Sequence, residues 1–166
     1  MKGKELREAV KARMEEEYLQ NPKLKTGKRI TGYCILAWLL SRVLFLVVEM
    51  LCAKEGFVEF SPVNFASFVF SLLIAWPMIN GTGKIAWLPL AGGIMMVFSI
   101  ARNQMFSLLS IDQYPIIHLH ILLYILTAVV TIASMLIILF HPTCKAYAER
   151  STECMQELGG FPQRRL

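Results

Sequence analysis

Six side chains interrupt the apolar stretches of this 166-residue chain and belong to types that do chemistry: Arg42, Glu49, Arg102, Asn103, His118 and His120. A carboxylate held in hydrocarbon can carry a proton or pair with a guanidinium, and an imidazole titrates near neutral pH. Their spacing restricts the options. Arg42 and Glu49 share one helical face but stand two turns apart, so they are not a local i,i+4 pair. His118 and His120 point about 200° apart around a helix axis and do not form a metal-binding pair. The HExxH spacing of zinc enzymes is absent, and no Ser or Cys stands with a His and an acid in a nucleophile motif. Gly81-Thr82-Gly83-Lys84 lacks the full spacing of a phosphate-binding loop. No catalytic residue, metal site or cofactor is expected, and the chain reads as something other than an enzyme.

The four cysteines, Cys34, Cys52, Cys144 and Cys154, match no zinc or disulfide framework. Cys34 and Cys52 fall at opposite ends of one apolar segment, too far apart to bridge. Cys144 reads as a buried thiol rather than an acylation site.

The elements that carry these residues follow from hydropathy. The chain is 55% hydrophobic and only 17% charged, too apolar for an ordinary soluble domain. Residues 30–52 are long enough to cross a hydrocarbon core of about 30 Å. Three further spans are expected at 62–80, 85–110 and 115–141. The fold class is then all-α, an integral membrane four-helix bundle. The spans form the domain at 30–141, preceded by a cytoplasmic arm at 1–29 and followed by a cytoplasmic tail at 142–166. The charged arm precedes the first apolar run, which is too long for a signal-peptide core and is expected to stay as an anchor.

Within the arm, residues 3–19 predict an amphipathic helix. Leu6, Val10, Met14 and Tyr18 form a narrow apolar stripe that would lie on the membrane or dock on a protein partner, the alternative being a solvated, partly frayed cytoplasmic arm. Asn21-Pro22 ends that helix, and residues 23–29 read as a short basic linker. Pro62 and Pro115 open the second and last spans. Asn80-Gly81-Thr82-Gly83 is a turn. Ala91, Gly92 and Gly93 give the third span a smooth surface for close helix packing. The tail is expected to hold one or two amphipathic turns before a loose Gly/Pro end.

The formal charge of +5 reflects basic residues beside the spans, a topology signal rather than a nucleic-acid patch. Of the 17 Lys and Arg, fourteen fall on one side and Lys54 alone on the other, with Arg42 and Arg102 inside spans. That bias puts both termini in the cytoplasm.

The turn Gly81-Thr82-Gly83-Lys84-Ile85-Ala86-Trp87, with a last span leaving through His141-Pro142-Thr143-Cys144-Lys145, resembles small four-span bacterial inner-membrane proteins of uncharacterised function. That resemblance implies four helices and an inner-membrane location, and it assigns no functional residue.

Depth arranges the polar residues. At about 1.5 Å per residue, Arg42 lies about 18 Å beyond Ile30, Glu49 about 28 Å, and Arg102 about 26 Å beyond Ile85. His118 and His120 lie just inside Pro115. Glu49, Arg102, Asn103, His118 and His120 are therefore expected in one outer layer, where Glu49 and Arg102 either pair or each snorkel to the outer headgroups. Arg42 is too deep to reach headgroups and needs Ser67, Ser71, Thr127, a helix-end carbonyl or a second copy of the chain. Two functions fit. One is a non-catalytic accessory, regulatory or scaffold subunit that meets lipid and a protein partner. The other is an oligomeric transporter or channel subunit using an embedded Glu/Arg pair.

Overall fold

A computed structural model describes the backbone of residues 3–57, 59–102 and 115–159, and the side chains within them except those of 3, 4, 7, 101, 102, 115 and 159. The described residues form six helices: α1 (Gly3–Gln20), α2 (Pro22–Lys54), α3 (Pro62–Ile79), α4 (Trp87–Arg102), α5 (Pro115–Phe140) and α6 (Pro142–Gly159). A 3-10 turn, Gly83–Ala86, leads into α4. Four of the helical segments are long and apolar enough to cross a membrane: α2, α3, Gly83–Ile100 and α5. The expected fold class, an all-helical membrane bundle with an additional N-terminal helix, is what the chain forms.

Two stretches expected to be irregular are helical. The basic residues 23–29, expected as a linker, form the first two turns of α2. Asn21 caps that helix through its side chain, which accepts from the Lys23 amide at 3.1 Å, and Pro22 supplies a helical φ at the first position. The 33 residues of α2 are about 50 Å long and outreach a hydrocarbon core of about 30 Å. Tail residues 142–159, expected as a turn or two, make the 18-residue helix α6. Pro142 opens it, and Cys144, Tyr147, Ser151 and Cys154 recur at helical spacing along its buried side. Its partners α1 and α2 are remote in sequence, so helical periodicity was the only local signal for its length.

α2 is the axis of the fold. Its buried residues run from Leu24 through Gly27, Thr31, Ile35, Trp38, Arg42, Phe45 and Glu49 to Cys52, spaced three or four apart. It packs along α5, with α3 beside it, while α4 rests on α5. Ile35 and Trp38 of α2, Ile74 and Met78 of α3, Leu90 of α4, and Met135 and Ile138 of α5 form the apolar core. Between lipid-facing helices, such packing stabilises through dispersion and close fit rather than release of water. Of the small-residue trio, Gly93 faces α5, where a Cβ would lie 3.0 Å from Ile132 and 3.2 Å from Thr131. Gly92 faces outward, with nothing among the described residues within 4 Å of such a Cβ.

α1 and α6 cap the end of the bundle that also holds the α3–α4 turn. Val10 and Met14 are buried against Tyr147 and Cys154, with Leu6 and Tyr18 beside them. The apolar stripe of α1 is therefore covered by the chain's own α6. Arg150 binds both carboxylate oxygens of Glu17, one through Nε at 2.7 Å and the other through Nη2, and donates through Nη1 to Glu153 at 3.0 Å and Glu157 at 3.1 Å. α6 also closes the end of α3. The Tyr147 hydroxyl donates to the Ile79 carbonyl at 2.7 Å and Ser151 to that of Asn80 at 2.8 Å, satisfying carbonyls that a helix terminus leaves open. Gly27 lets α2 and α6 touch backbone to backbone, since any Cβ there would fall on the Thr143 carbonyl.

Candidate functional site

The polar residues of the spans gather in a seam between α2, α3 and α5. Helical spacing puts Arg42, Phe45, Glu49 and Cys52 of α2 on one stripe, and all four are buried. On α3 the facing positions are Ser61, Asn64, Ser67 and Ser71. On α5 they are His120, Tyr124, Thr127 and Thr131.

Glu49, 3% exposed, ends on the start of α3. One carboxylate oxygen accepts from the Asn64 side-chain amide at 2.7 Å and from the Ser61 backbone amide at 3.3 Å. Ser61 is the N-cap of α3 and makes no side-chain cap bond. Glu49 thus does from another helix what a capping-box acid does within its own, at the helix end where a negative charge is favoured. Its other oxygen, Oε2, is enclosed with no hydrogen-bond partner among the described residues.

Arg42, 8% exposed, donates from Nη1 to Ser67 Oγ at 3.4 Å, a long bond. Ser67 is one of the partners its depth required. Its Nε is enclosed with no partner among the described residues. Between Arg42 and Glu49, the Phe45 ring lies 5.2 Å from that of His120 and 5.3 Å from that of Tyr124. His120 is within electrostatic reach of Glu49. The Nε2 atoms of His120 and His118 are both enclosed and unpartnered among the described residues. Cys52 adds a weak contact, its sulfur 3.7 Å from the Ile116 carbonyl. Below Arg42, Ser41 donates to the Trp38 carbonyl at 2.8 Å, Thr127 to that of Ser41 at 3.2 Å, and Thr131 to that of Thr127 at 2.6 Å, while Trp38 Nε1 and Thr31 Oγ1 are enclosed without a partner among the described residues.

Of the residues expected in one layer, His120 stacks near Phe45, which lies between Glu49 and the deeper Arg42 on α2. The side chain of Arg102, all of Asn103, and hence the expected Glu49–Arg102 contact lie outside the described residues, as does the third span beyond Arg102. Ser61 and Asn64 went unremarked in the sequence reading. Their signal was there: Ser-Pro-x-Asn is a helix start, and a helix start is a natural seat for a buried carboxylate.

At the capped end, titration follows burial and pairing. Arg150 holds the Glu17 carboxyl below the ordinary glutamate range. Burial pushes up the hydroxyl of Tyr147 and the thiols of Cys144 and Cys154. All four cysteines are free and buried. Among the described residues, no three His, Cys, Asp or Glu side chains converge as metal ligands would.

Fold and seam together define a helical membrane protein with four apolar crossing segments and a buried polar seam. No family model matches the chain, and no curated protein or solved structure is significantly similar to it.

Proposed function

We propose that this chain is a non-catalytic accessory, regulatory or scaffold subunit of a membrane assembly. Its place is the bacterial inner membrane, with both termini in the cytoplasm. The single observation that carries this reading is the open edge of the bundle. α3 rests on α2 and α4 on α5, and the two outer helices adjoin each other chiefly through the turn between them. α4 therefore presents a face with no partner inside the described chain: Leu88, Met95 and Phe98 stand out from it, with Ala91 and the bare Gly92 between them. A smooth strip flanked by large apolar side chains is how membrane helices admit another helix closely. The occupant is a helix of a protein partner or of a second copy of this chain. The charge bias beside the spans and the resemblance to four-span bacterial proteins support the location.

The test is association in mild detergent. The wild-type chain should copurify with a partner, or with itself, at fixed stoichiometry, and Gly92→Leu should abolish that complex without lowering the thermal stability of the monomer. A chain that is solitary and monodisperse, or a complex indifferent to Gly92→Leu, overturns the reading.

One observation favours a second function, an oligomeric transporter or channel subunit. Arg42 Nε, Glu49 Oε2 and His120 Nε2 line one seam as enclosed polar atoms without partners among the described residues. Buried polar groups left open are costly and are seen where waters, protons or a permeant group complete them. In this reading Glu49 carries the proton, and Arg102 is its expected counter-ion. Flux in liposomes that disappears in Glu49→Gln supports it, and absence of flux removes it.

A further inference from the structure

A cleft of about 670 Å³ opens where the N-terminal part of α2 meets the last turns of α1. Its α2 wall changes character along the helix. Lys25, Lys28 and Arg29 line one end, and Tyr33 and Leu36 the other. Lys25, Arg29, Tyr33 and Leu36 follow one another three or four apart with Lys28 alongside, so they form a continuous stripe. From Lys25 to Leu36 the stripe is about 16 Å long. Gly32 lies in its middle, and no atom of the described residues comes within 4 Å of where a Cβ would stand, so the floor is open. Across the cleft, Tyr18 and Leu19 of α1 form the opposite wall, and the Lys28 ammonium sits 5.0 Å from the Tyr18 ring centroid, which fixes its position. Glu15 is the one carboxylate among the lining residues, against three cations. Tyr33 and Leu36 are large apolar side chains left mostly exposed.

We infer that this cleft binds one anionic phospholipid. The phosphodiester sits among Lys25, Lys28 and Arg29, the glycerol backbone passes over Gly32, and an acyl chain runs down the Tyr33–Leu36 wall. The ligand is dictated by the order of the stripe. Its cationic end calls for phosphate, and its apolar end continues into a membrane-crossing helix, where only hydrocarbon is at hand. A soluble anion would satisfy the first half alone, and an acidic peptide would have to carry its charges to the edge of the bilayer. The volume suits a headgroup with the top of a chain, within the range of small-ligand sites. The inference is independent of the seam and of the α4 face.

The experiment is native mass spectrometry of the detergent-purified full chain titrated with phosphatidylglycerol or with phosphatidylcholine of the same acyl chains. The first phosphatidylglycerol should bind about tenfold or more tightly than phosphatidylcholine. The triple variant Lys25→Gln/Lys28→Gln/Arg29→Gln should lose that preference, while Lys84→Gln, outside the cleft, should keep it. Gly32→Leu retains every charge but fills the open floor, and it should lose the first high-affinity lipid. Binding in Gly32→Leu equal to wild type would show diffuse surface attraction and overturn the site. Displacement of the lipid by millimolar inorganic phosphate would show that the cleft reads a free phosphate, and would overturn the lipid assignment.

Discussion

Arg150→Ala should release α1 from α6, and the structure sets the scale. The guanidinium makes two charge-assisted bonds to Glu17 across the helix pair and single bonds to Glu153 and Glu157 on its own helix. The Arg150 and Glu17 side chains are 25% and 17% exposed, so the bridge is partly shielded from water and salt. A bidentate pair in that setting contributes about 1–3 kcal/mol to docking, above the range of open surface pairs. Its removal also leaves three carboxylates facing one another. The docking equilibrium of α1 should therefore fall by about 5- to 150-fold. Cys154 reports on it directly, because its thiol is fully buried beneath α1, with its sulfur 3.7 Å from that of Met14. At constant pH, alkylation of Cys154, localised by peptide mass analysis, tracks the open population and should accelerate by the same factor. Lys145→Ala removes an exposed pair with Glu149 elsewhere on α6 and should leave the rate unchanged. If Arg150→Ala alkylates within a factor of two of wild type, the apolar stripe alone holds α1 and the reasoning fails.

The same clasp sets a pH dependence. The Arg150 hydrogen bond lowers the Glu17 pKa in the docked state, so docking is favoured above the free-glutamate value, about 4.3, and weakens as pH falls through the docked value. Cys154 protection should thus be flat between pH 6 and 8 and decline only in acid, and a decline near neutrality would contradict it. Gly27→Leu should lower the midpoint of thermal unfolding in detergent, because the added side chain meets the Thr143 carbonyl. The expected cost is about 3 kcal/mol, whereas Gly32→Ala should be neutral or slightly stabilising. Asn64→Leu strips Glu49 of its shortest bond and should cost about 1–3 kcal/mol; a variant as stable as wild type would show that Glu49 does not depend on the α3 start. Tyr147→Phe should cost about 1 kcal/mol through the lost bond to the Ile79 carbonyl, read as a lower unfolding midpoint.

Hydropathy and proline placement were enough to foresee four helices long and apolar enough to cross a membrane, the N-terminal helix and the start of α3, because each depends only on residues near one another. The turn at Gly81 was legible for the same reason. Helical spacing likewise put Arg42 and Glu49 on one buried face of α2. What lay beyond reach was partner choice. Glu49 meets the start of α3 because the α2–α3 loop folds that start back beneath it, and the stripe of α1 meets α6 because the two ends of the chain share one end of the bundle. The length of α6 and the helicity of residues 23–29 depend on those same distant contacts. A composition can require that a buried charge be compensated, but which group compensates it depends on how whole helices settle against one another, and that is decided only once they are packed.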